Sequence, residues 1–110
     1  MIHEEIRSLL DAPPIGEDAP TLDAIEDTLT AGYARALALE AERWRLERRI
    51  AKVAAKLRGT PNELEYSELA QLGQRLSAAD GDLGRLRGLL SSLRSRADEV
   101  RSTSVGRTAS

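Results

Sequence analysis

Two ladders of aliphatic and small residues run through this chain, and each supplies the other with partners. Positions alternately three and four apart read Leu22, Ile25, Leu29, Gly32, Ala36, Leu39, Arg43, Leu46, Ile50, Val53 and Leu57 in the first, with Arg43 the lone charge. The second reads Leu69, Leu72, Leu76, Ala79, Leu83, Leu86, Leu90, Leu93, Ala97 and Val100 without a break. Such a spacing, sustained this long, is a heptad a/d seam rather than the face of an ordinary amphipathic helix. In an antiparallel pair, facing residues keep a constant sum of residue numbers. Val53 then meets Leu69, and Ile50 meets Leu72. Continuing outward, Leu46 meets Leu76, Leu39 meets Leu83, Ala36 meets Leu86, Gly32 meets Leu90, Leu29 meets Leu93, Ile25 meets Ala97 and Leu22 meets Val100. Where one side is small the other is long, as an interdigitated seam requires. The chain is therefore expected to be all-α, a long antiparallel two-helix coiled-coil hairpin with arms of roughly 55 Å at 1.5 Å per residue.

The stretch Arg58-Gly59-Thr60-Pro61-Asn62-Glu63 places the reversal between the ladders. Glycine enters the left-handed conformation cheaply and so ends helices. Thr60 can cap the next helix, Pro61 suits its first position, and Glu63 completes a Thr-x-x-Glu capping box. The turn is thus expected at 58–61. The hairpin occupies 21–101, with Thr21 as the cap of its first helix. Before it, residues 2–11 form a short amphipathic helix with Ile2, Ile6 and Leu9 on one face, too short to hold without docking. The Pro-rich segment to Pro20 reads as an extended linker, so 1–20 is a helix plus linker. After Arg101 the periodicity ends, and 102–110 is expected to be a disordered tail.

Composition narrows the function classes. Aromatic residues are 3% of the 110 with no Phe, so aliphatic side chains must carry the burial, which suits a coiled coil. No cysteine means no disulfide, thiolate metal site or thiol redox chemistry. His3 is the only histidine, which argues against a triad or a His-based metal site. The expectation is a non-enzyme with no cofactor and no metal. Net charge is −2, and no aromatic interleaves with the arginines at 85, 87, 94, 96 and 101, so nucleic-acid binding is not expected. Those arginines face an acidic N-terminal third. Across the hairpin Glu26 falls near Arg94 and Lys56 near Glu68, which is favourable, but Arg49 falls near Arg75. No apolar run is long enough to span a bilayer, and Met1-Ile2-His3-Glu4-Glu5 lacks the layout of a signal peptide. A cytoplasmic protein is expected, and the arginine, alanine and leucine bias suggests a GC-rich bacterial genome.

A two-helix coil hides one seam, so a second apolar stripe needs another partner. Tyr33, Leu37, Ala41 and Trp44 form one on the first helix, beside the seam. It can serve self-association into a four-helix bundle, cover by the Ile2/Ile6/Leu9 helix, or a foreign protein. On the second helix Ser77, Gly81, Gly84, Gly88, Ser91 and Ser95 line the outer face. Three glycines there cost about 1 kcal/mol each against alanine, so Gly81, Gly84 and Gly88 mark a hinge, a site of close packing, or a face where the cost is tolerated. Arg43 opposite small Ala79 is expected to thread over it to Asp80 or Asp82 and fix the register, with ligand binding as the alternative.

Bacterial hairpin anti-sigma factors that grip cyclic di-GMP carry a helical Glu-x3-Ser-x2-Arg-x3-Gln-x3-Asp motif. Glu63, Ser67 and Gln74 stand at that spacing here, but Ala70 and Ala78 replace the Arg and Asp, and no ligand residue is carried over. The sequence thus points to a non-catalytic protein–protein interaction module, a coiled-coil adaptor or scaffold acting as a homodimer. A small regulatory binder of the transcription machinery, anti-sigma-like or a co-regulator hairpin, is the alternative.

Overall fold

A computed structural model describes residues 1–109, with side chains to Thr103. It consists of α1 (Ile2–Asp11), α2 (Leu22–Gly59) and α3 (Glu63–Ala109). The antiparallel hairpin of α2 and α3 is the all-α fold that the two ladders predict. Their packing divides into two compact units: Met1–Ala36 with the chain from Arg85 onward, and Leu37–Gly84.

The second unit is the hairpin end that carries the turn. Leu46, Val53, Leu57, Leu72 and Ala79 are buried in one cluster, with Ile50, Leu69 and Leu76 packed against it. These are consecutive rungs of the expected register. Arg43 crosses as anticipated: its Nε lies 2.9 Å from Asp80 Oδ1 in an ion pair and donates to Glu47 Oε1 at 3.3 Å. The Glu68 carboxylate pairs with Arg49, at 2.7 Å from Nη2 and 2.9 Å from Nε, rather than with the expected Lys56. A long arginine with two donors on one carboxylate outcompetes a single ammonium in reach and geometry.

The reversal lies where the sequence puts it, but it is capped differently. Gly59 belongs to α2, and its φ is not positive: Gly16 is the glycine with a left-handed φ among the described residues. The Thr60 amide still donates to the Lys56 carbonyl at 2.9 Å, continuing the helical ladder by one bond. The cap of α3 is Asn62, not Thr60. Its Oδ1 accepts from the Leu64 and Glu65 amides at 2.8 and 3.4 Å, and its carbonyl accepts the Tyr66 amide at 3.0 Å. Pro61 lies one residue before the cap instead of at the first helical position. Asparagine outranks threonine as an N-cap, and the start of α3 slides forward two residues to use it.

The first unit adds α1 to the hairpin. The expected bounds of α1 are the observed ones, and its Ile6 is 0% exposed. The docking place is built by the smallest rung of the ladder. A Cβ added to Gly32 would overlap Leu90 Cδ2 and lie 3.5 Å from Ile6 Cδ1. The missing side chain thus gives the space into which Leu90 and Ile6 close, in a unit where Ile25, Leu29, Leu86, Leu93 and Ala97 are also buried. Arg96 on α3 donates through Nη2 to the Leu10 carbonyl at 3.2 Å, a cation satisfying the negative end of α1. Its Nη1 is buried without a partner, as is His3 Nε2 on α1. Between α1 and α2, the Ala19 amide donates to the Gly16 carbonyl at 3.2 Å in the linker turn. Thr21 is the cap of α2 as expected, its Oγ1 accepting the Ala24 amide at 3.1 Å.

Glu26 pairs with Arg101 rather than Arg94, and its hydrogen bond raises the Arg101 guanidinium's pKa above the ordinary value. Arg101 also reaches Asp98 at 3.2 Å. Helix α3 continues past Arg101 to Ala109, and Thr103 Oγ1 donates to the Glu99 carbonyl at 2.9 Å. From Ser104 on, the side chains of the expected tail, and Ser110 altogether, lie outside the described residues. Among the described residues no helix is long and apolar enough to cross a membrane.

Candidate protein-interaction site

On a helix whose a and d positions face the seam, the b and f positions point away from it. In the second unit those positions on α2 are Leu37, Ala41, Trp44, Arg48, Ala51 and Ala55, and all are exposed. Leu37 is 66% exposed and Trp44 58%, which is unusual for the two largest apolar side chains on one helix face. The Arg48 guanidinium lies over the Trp44 ring, 4.7 Å from its centroid, one turn along the same helix. The cation thus covers one face of a ring that stays more than half exposed.

The edges of this face carry opposite charges. Glu40 and Glu47 line one side, and Arg45 and Lys52 the other, as the helical spacing of these positions dictates. Glu47 shares Arg43 with Asp80, so the acidic edge is tied back to the hairpin. Apolar centre and charged rims are the layout of a helix–helix contact surface.

Of the four residues that the sequence singles out, Leu37, Ala41 and Trp44 stand on this face. Tyr33 lies on the part of α2 that belongs to the first unit, at 43% exposure, and nearer the acidic edge. Leu37 and Trp44 are exposed, and Ile6 of α1 packs beside Gly32 within the first unit. The stripe is also longer than its large residues suggest. Ala51 and Ala55 continue it at unbroken heptad spacing, a signal present in the sequence but carried by small side chains that do not look like an interface.

Leu64 and Tyr66, at the start of α3, are both exposed but two residues apart, and so point to nearly opposite sides of the helix. Gly81, Gly84 and Gly88 lie within unbroken helix α3. A Cβ added to Gly84 or Gly88 would meet nothing within 4 Å, so no neighbour in this chain requires glycine at either position. Among the described residues no group of three or more His, Asp or Glu side chains is placed to hold a metal ion. No family model, curated protein or solved structure matches this chain.

Proposed function

We propose that the protein is a non-catalytic protein–protein interaction module, a helical-hairpin adaptor that self-associates through the outer face of α2 into a four-helix assembly. The observation that supports this is the exposure of Leu37 and Trp44 on a face that the seam does not use. Burying large apolar side chains is worth about 1.5–3 kcal/mol each, and a Trp flanked by Arg is the typical anchor of such contacts. Catalysis has no part in this reading, because the face offers no nucleophile beside a base. The glycine stripe is proposed to be a tolerated outer surface at Gly84 and Gly88.

The test is the solution mass by light scattering of the wild-type chain and of Trp44→Ala. Self-association through this face gives a dimer that the substitution converts to a monomer with its helix content intact. A wild-type monomer at all concentrations would overturn it and make Leu37 and Trp44 the bait for a foreign protein, of which a transcription regulator is the alternative expected from the sequence.

A further inference from the structure

The two rims of the face carry more information than its apolar centre. We propose that the second copy docks parallel and in register, α2 against α2 over residues 37–55; this rests on the self-association proposed above. In the frame of this outer face, Ala41, Arg48 and Ala55 occupy one class of inner position and Leu37, Trp44 and Ala51 the other. Spacings of three and four alternate between the classes as in a coiled-coil core. The residue just before each position of the first class is Glu40, Glu47 or Ala54. The residue just after each position of the second class is Ala38, Arg45 or Lys52.

A parallel pair brings each residue of the first rim to the partner's residue five ahead on the other rim. Glu40 then meets Arg45 of the second copy and Glu47 meets Lys52, and the two-fold axis repeats both pairs. An antiparallel pair sets acidic rim on acidic rim and basic on basic, placing like charges together along the whole contact. The same four side chains therefore favour one orientation and oppose the other.

The apolar centre is compatible with this orientation. Alanines at 41, 51 and 55 let two helix backbones approach closely around Leu37 and Trp44. Arg48 falls on the axis, where two guanidinium groups would repel. Its charge instead lies over its own Trp44 ring, 4.7 Å from the centroid, so its stem faces the partner while its head is drawn along the helix. The shared Arg43 contact of Glu47 does not compete strongly, since Asp80 also holds Arg43 at 2.9 Å.

The chain has no cysteine, so a single Ala55→Cys gives one thiol per molecule. A disulfide needs Cα atoms about 4.4–6.8 Å apart. In the parallel dimer the two copies of position 55 meet at the axis, whereas an antiparallel dimer centred on the face sets them roughly 25 Å or more apart. Ala55→Cys should therefore oxidise to a covalent dimer, while Ala70→Cys, exposed on α3, forms no cross-link under the same conditions. A wild-type dimer in which Ala55→Cys fails to cross-link would overturn the parallel pairing and leave self-association standing. A wild-type monomer would overturn both.

Charge reversal supplies an independent readout. Lys52→Glu and Glu47→Lys should each weaken self-association about tenfold, and an equal mixture of the two variants should restore it as a heterodimer. Equal affinity for all combinations would contradict the rim pairing.

Discussion

Single residues decide where the elements of this protein begin and how closely they meet. At the hairpin turn the structure assigns the capping work to Asn62. Asn62→Ala should accordingly cost about 1 kcal/mol, and Thr60→Ala much less, in denaturant unfolding. The reverse ranking would return the cap to Thr60. The sequence alone does not separate these two, because Thr60 and Asn62 are both good caps around one proline and the choice depends on how far α2 runs before it stops. Gly32 is a different case. Its pairing with Leu90 is readable from the ladder, but the third side chain in that space, Ile6, comes from twenty-six residues earlier and no periodicity links them. Gly32→Leu must displace both, and a loss on the order of 3 kcal/mol is expected, measured as a lower midpoint of chemical unfolding. A neutral result would mean that Leu90 and Ile6 do not close over that position.

At the scale of elements, the two long helices are self-evident and the short one is conditional. Helix α1 has 10 residues, below what water supports in isolation, and depends on Ile6 and on Arg96 at its last carbonyls. It also carries the cost of two buried polar atoms without partners, His3 Nε2 and Arg96 Nη1. Ile6→Ala should therefore release α1 while leaving the hairpin folded. Amide exchange would become fast over residues 2–11 and stay slow along the seam; loss of protection throughout would show that α1 is required for the hairpin itself. On the opposite side of the energy scale stand Gly84 and Gly88. With open space around both, Gly84→Ala and Gly88→Ala should each stabilise α3 by up to about 1 kcal/mol, read as a rise in thermal midpoint. Destabilisation would reveal a close neighbour outside this chain. The small residues of the α2 outer face were the least legible feature, because alanine is as much a helix former as an interface residue, and the spacing of Ala51 and Ala55 gains meaning only beside an exposed Leu37 and Trp44.

For the molecule as a whole, the seam explains the fold, and the proposed function rests on the outer face of α2. The constant-sum pairing of the ladders makes the antiparallel hairpin legible from residues such as Val53, Leu69, Gly32 and Leu90. The exposure of Leu37 and Trp44 was legible only in part, because their heptad positions place them off the seam but do not say what else packs on them. The chain has a single Trp, and it stands at the centre of that face, so its emission reports on this contact alone. The decisive measurement is Trp44 fluorescence across a dilution series, with the mass recorded at each concentration. Self-association through the α2 face requires a blue-shifted emission at high concentration that moves to the red as the dimer dissociates. A dimer whose Trp44 emission stays that of an exposed indole throughout would contradict it.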